Sequence, residues 1–127
     1  PLLDRIDILI EVPPAPRYLS SQSHLHTPIE SSAQIRQRVC QARRCARERF
    51  ADCGWSTNGR ADARWLKART SVSALQLLDS AVQSQTLTVR GADRALRLAW
   101  TISDLDGTNS PDVSAVAEAI EMRNRRR

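Results

Sequence analysis

Between Thr88 and Gly107 the chain reads T-V-R-G-A-D-R-A-L-R-L-A-W-T-I-S-D-L-D-G. Wound at about 100° per residue, the α-helical step, its apolar residues spread over well more than half the circumference. Val89, Ala92, Ala95, Leu96, Leu98, Ala99, Trp100, Ile102 and Leu105 make that surface. Arg90, Asp93, Arg94, Arg97, Thr101 and Asp104 gather on the strip that remains. A helix apolar around most of its surface is packed on several sides. The stretch therefore predicts a central helix, with Thr88 as its N-cap and Gly107 as its stop.

One residue on the strip is out of place. Arg90 falls in the first turn, where the helix dipole is positive and favours acidic side chains. A cation there is either a solvated arginine that tolerates the dipole or half of a phosphate seat, since a helix N-terminus and a guanidinium together suit an anion. Arg94 and Arg97 share the strip and have Asp93 and Asp104 as ready ion-pair partners.

The rest of the chain is also helical in pattern. Ser31-x-x-Gln34 forms a capping box, and behind it Ile35, Val39, Ala42, Ala46, Phe50 and Cys53 fall on one narrow stripe. Arg36, Arg43 and Arg47 flank the stripe on one side, Arg38 and Arg49 on the other. The net charge of +5 is concentrated here, with six basic residues against one acid between Arg36 and Arg49 and balance elsewhere. Such a face is either solvated or turned toward phosphate groups, as in a nucleic acid.

The turn-rich segment G-W-S-T-N-G-R at 54–60 ends that helix. Short helices are predicted over 61–68 and 71–83, with Trp65 assigned to the core rather than to base stacking. A last helix is predicted to start at Ser110-Pro111, with Val113, Val116, Ala117 and Ile120 as its apolar face.

The N-terminal end is different. I-L-I-E-V at 8–12 reads as a buried strand of a parallel sheet, yet nothing later in the chain is patterned to pair with it. The expectation is a fragment whose sheet lies upstream, with residues 1–12 loose without it. Residues 13–30, rich in Pro, Ser and His, form an expected linker.

Three cysteines without C-x-x-C spacing, Cys40, Cys45 and Cys53, make neither a disulfide framework nor a zinc site. They are read as reduced packing residues, and no metal site is expected. No apolar run approaches the roughly 20 residues of a membrane span, and the first residues lack a signal-peptide pattern. Together these predict a cytoplasmic protein. The chain has no G-x-x-x-x-G-K-[ST], G-x-G-x-x-G or G-x-S-x-G motif, so it is not expected to be an enzyme by itself.

Four segments in order carry a resemblance: L-L-D-R-I-D at 2–7, S-S-A-Q-I-R-Q-R-V at 31–39, the stretch at 88–107, and V-S-A-V-A-E-A-I-E-M-R at 113–123. They resemble the end of the ATPase core and the C-terminal domain of magnesium-chelatase-like AAA+ ATPases of the competence-protein ComM (YifB) family. The resemblance implies an all-α lid of four to five helices over 31–127, preceded by the last strand of a truncated core at 1–12 and the linker at 13–30. It also implies that Arg5 is an arginine finger acting on a neighbouring subunit's ATP, and that Arg90 is the sensor-2 arginine of its own subunit. The parent would use ATP and Mg2+, assemble with its own AAA+ core and neighbouring subunits into a hexameric ring, and drive DNA branch migration. Two alternatives stay open. One is the lid of a chelatase subunit that drives metal insertion into a porphyrin. The other is a free-standing nucleic-acid-binding module using Arg36, Arg43 and Arg47.

Overall fold

The computed structural model describes residues 5–12 and 30–124. Five α-helices account for most of it: α1 (Ser32–Arg49), α2 (Ala63–Lys67), α3 (Val72–Gln83), α4 (Val89–Asp106) and α5 (Val113–Asn124). A 3-10 turn, Asn58–Arg60, lies between α1 and α2. The fold is an all-α bundle, and among the described residues there is no strand.

α4 is the central helix, in contact with each of the other four and with the 3-10 turn. Ala92, Ala95, Leu96, Ala99, Trp100 and Ile102 are buried along it. The Thr88 hydroxyl caps it by accepting the Gly91 amide at 2.9 Å. Gly91 eases that approach, because a Cβ there would stand 3.1 Å from the capping oxygen, a tight contact. At the other end Gly107 takes the left-handed conformation, φ 73°, and closes the helix as a glycine C-cap does.

Local rules set the other boundaries. Ser31 and Gln34 form the expected capping box of α1, and Ser71 caps α3 through the Ala74 amide. The start of α5 differs from expectation. Ser110-Pro111 lies outside the helix, and the Asp112 carboxylate accepts the Ala115 amide at 2.8 Å. A carboxylate at a helix N-terminus satisfies an orphan amide and complements the dipole, so Asp112 takes the role expected of Ser110.

The apolar stripe of α1 is only half used. Ala42, Ala46 and Phe50 are buried, whereas Ile35 and Val39 remain exposed because the body of the bundle begins at Ala42. Phe50 makes edge-to-face contacts with Trp55 and Trp65, ring centroids 5.8 and 5.2 Å away, so Trp65 belongs to the core edge as expected. Trp100 donates its indole N–H to Thr70 Oγ1 at 3.1 Å. Of the three cysteines, Cys53 packs against the core, but Cys40 is exposed, which corrects its assignment as a packing residue.

The strand expected at 8–12 does not form. A strand needs a neighbour to satisfy its amides and carbonyls, and the described residues supply none. Nor is the segment from Arg5 to Leu9 loose. The Leu9 amide donates to the Met122 carbonyl at 3.1 Å, and arginines of α4 and α5 hold the residues before it. The expected linker, Glu30 apart, lies outside the described residues.

Candidate functional site

Each polar side chain of α4 has its surroundings set by helical spacing. Arg90 follows the cap by two residues. It is exposed and has no ion pair among the described residues. The amides of the first turn have no i−4 carbonyl to bond, so the guanidinium stands beside a patch of positive potential. The chemistry available is that of an anion seat open to whatever lies above the N-terminus of α4.

One turn later Arg94 turns toward the N-terminal segment. Its Nη1 donates to the Arg5 carbonyl at 3.0 Å and to Asp7 Oδ1 at 2.6 Å. Arg123 of α5 reaches the same place, donating to the Ile6 carbonyl at 3.1 Å and to Asp7 Oδ1 at 3.2 Å. The Arg5 side chain itself is exposed. The structure therefore brings Arg5 to the end of α4 that carries Arg90, since Arg90 and Arg94 are separated by about 6 Å of helix rise.

The ion pairs within the strip are not the ones its spacing offers. Asp93 pairs with Lys67 at 2.7 Å. Arg97 donates to the Ala61 carbonyl at 3.1 Å. Asp104 is buried and pairs with Arg49, whose guanidinium also lies 4.5 Å from the Trp100 ring centroid. Asn58 completes this group. It accepts from Arg49 at 3.0 Å and donates to Asp104 Oδ2 at 2.8 Å. Intrahelical pairing gave way because the 3-10 turn, α1 and the N-terminal segment all close over the strip. The only trace of this in the sequence was Asp104 itself, a carboxylate near the far end of a helix apolar around most of its circumference.

The arginines of α1 sort by partner. Arg38 pairs with Glu30 at 2.6 Å, Arg44 lies 3.9 Å from Glu48, and Arg49 is committed to Asp104. Arg36, Arg43 and Arg47 are exposed and have no ion pair among the described residues. Spaced at seven and four residues, they form one row about 16 Å long on the helix. The row is remote from Arg90, because α1 meets α4 at Asp104, about 21 Å of helix rise away.

No group of three or more metal-ligating side chains occurs among the described residues. No described helix is long and apolar enough to cross a membrane.

The family described as magnesium chelatase, subunit ChlI C-terminal, matches residues 29–123. An uncharacterized protein of Mycobacterium tuberculosis and one of Mycobacterium bovis are each 37% identical over 125 residues, covering 97% of this chain and 24% of the relative. Competence protein ComM of Haemophilus influenzae is 32% identical over 123 residues, covering 97% of this chain and 23% of that protein. The chain thus spans about a quarter of the length of the curated relatives it matches. No solved structure matches it.

Proposed function

This chain belongs to the magnesium chelatase, subunit ChlI C-terminal family, and from that membership we propose that it is the helical lid of an AAA+ ATPase whose Arg90 reads the γ-phosphate of ATP bound to its own subunit. The single observation that carries this reading is the state of Arg90, an exposed guanidinium without an ion pair at a capped helix N-terminus. An arginine in the first turn opposes the helix dipole by a few tenths of a kcal/mol to about one. An anionic ligand reverses that sign, because the same guanidinium and the same amides then share one phosphate. A triphosphate fits this seat in charge and in donor type.

Arg5 acts on the neighbouring subunit. Its side chain is exposed, as a group must be that reaches across an interface. A guanidinium placed on the charge that develops in phosphoryl transfer is worth about 10³–10⁵ in rate. Mg2+ accompanying ATP would neutralise phosphate charge, and among the described residues no group of three His, Cys, Asp or Glu side chains is placed to hold it. Hydrolysis releases the γ-phosphate from Arg90, and the lid moves against the core.

Within the family we place the parent among ring-shaped DNA motors of the ComM type. The similarity to competence protein ComM supports this, as does the exposed row Arg36, Arg43 and Arg47. A free-standing nucleic-acid module uses the row alone and leaves Arg90 without a task.

The test is ATP hydrolysis by the full-length protein, wild type against Arg90→Ala and Arg5→Ala, with and without DNA. Both variants are expected to assemble and bind nucleotide but lose turnover, and wild type is expected to be stimulated by DNA. Wild-type turnover in Arg90→Ala would refute the γ-phosphate role of Arg90 and leave α4 as scaffold only. Turnover in the wild type that ignores DNA would move the parent to the chelatase reading.

A further inference from the structure

We propose that Asp7, Arg94 and Arg123 form a bracket that positions Arg5 and makes its placement depend on α4. The inference rests on the roles of Arg5 and Arg90 proposed above and extends them to three residues with no part in binding ATP.

The segment from Arg5 to Ile10 has little apolar anchorage. Ile6, Ile8 and Ile10 are 40%, 43% and 68% exposed, and an open cleft of about 290 Å3 separates part of the segment from Arg97, Leu98 and Thr101. Polar bonds hold it instead. Two guanidiniums, one from α4 and one from α5, converge on a single carboxylate oxygen of Asp7. Each also takes one backbone carbonyl of the residues just before it, Arg94 that of Arg5 and Arg123 that of Ile6. Fixing two successive carbonyls and the next side chain fixes the peptide planes on either side of Ile6. That sets the direction in which the Arg5 side chain leaves the backbone while leaving its guanidinium exposed.

The two arms of the bracket differ. Arg123 is 5% exposed, so it is part of the bundle and does not move without α5. Arg94 is one turn from Arg90 on the same unbroken helix. A shift of the α4 N-terminus toward a phosphate therefore carries Arg94, and with it the Arg5 carbonyl, in the same direction. Through this connection the nucleotide held by one subunit sets the aim of the guanidinium offered to the next. Asp7, Arg94 and Arg123 are positioning residues. Arg94 holds the Arg5 carbonyl, Arg123 holds that of Ile6, and Asp7 ties the two guanidiniums together; none of the three is assigned a contact with the reacting phosphate.

Steady-state ATP hydrolysis by the full-length protein tests this with Asp7→Asn, Arg94→Gln, the double variant and Arg94→Lys, beside Arg5→Ala. Asp7 is 60% exposed and Arg94 lies at the bundle surface, so the fold survives both changes. Arg123 is left unaltered. Asp7→Asn and Arg94→Gln are expected to lower kcat about 10- to 100-fold, the cost of a reacting group misplaced by about 1 Å. KM for ATP should stay within about twofold because neither residue binds nucleotide.

The double variant should be no slower than the slower single one, as residues acting through one bracket are not additive. Arg94→Lys, which keeps a charged donor, should recover part of the loss. If Arg5→Ala is inactive while the bracket variants turn over like wild type, the bracket is refuted and the role of Arg5 stands. If Arg5→Ala turns over like wild type, the role of Arg5 falls and the bracket's purpose with it. A loss of kcat that tracks a loss of assembly or of melting temperature would show a structural tie only and would also overturn the proposal.

Discussion

Replacing Asp104 with leucine removes the carboxylate at the junction of α1, α4 and the 3-10 turn. The Asp104 side chain is 2% exposed and that of Arg49 13%. Arg49 would lose both oxygens of a two-pronged pair and keep one neutral acceptor, the Asn58 amide oxygen. Asn58 would lose its bond to Asp104 Oδ2 as well. An exposed pair of this kind is worth below about 1 kcal/mol. Stranding one buried charge costs about 3–5 kcal/mol. The small residual exposure of Arg49 and its retained amide put the expected loss at the lower end, about 3 kcal/mol. For a domain of this size that lowers Tm by about 12 °C. Urea unfolding and a thermal melt followed by far-UV circular dichroism measure it. Arg49→Met combined with Asp104→Leu should recover most of the loss, because a buried pair exchanged for apolar side chains is often neutral. A loss below about 1 kcal/mol in Asp104→Leu, or a double variant as unstable as the two single losses added, would refute the view that the pair locks α1 onto α4.

Changing Arg36, Arg43 and Arg47 together to glutamine should weaken DNA binding by the full-length protein at every sequence and reduce the slope of log affinity against log salt by about 2–3. An unchanged slope would remove the row from any DNA contact. Thr88→Ala should cost about 1 kcal/mol through loss of the N-cap, a third of the Asp104 effect, and the same urea titration distinguishes the two.

Helix positions were legible in the sequence because they depend on local signals. The capping box at Ser31 and Gln34, the cap at Thr88 and the glycine stop at Gly107 each involve residues within a few positions of one another. The buried face of α4 was legible for the same reason, since a 3.6-residue period describes one helix by itself. Partner choice was not. Asp104 and Arg49 are 55 residues apart, and Asp7 and Arg94 are 87 apart. Nothing in the period of either segment says which helix will face it. The start of α5 shows a competition between two good caps, won by the carboxylate of Asp112 over the Ser110-Pro111 pair. The strand pattern at 8–12 describes what those residues prefer beside a sheet. Here the Leu9 amide bonds to the Met122 carbonyl of α5 instead of to a neighbouring strand.

The unused half of α1 has a mechanical consequence. Every residue from Ser32 to Gln41 is exposed, so the helix leaves the bundle at Ala42 and runs about 15 Å beyond it. A rigid rod fixed at one end magnifies rotation into displacement. A tilt of about 10° at the Arg49–Asp104 anchor sweeps the tip of this rod, about 25 Å away along the helix, through about 4.4 Å, while core side chains beside the anchor shift by a fraction of an ångström. Arg36 rides near the tip and Arg47 near the fulcrum. Whatever the row grips would therefore be twisted as well as pulled, with the stroke growing from Arg47 through Arg43 to Arg36.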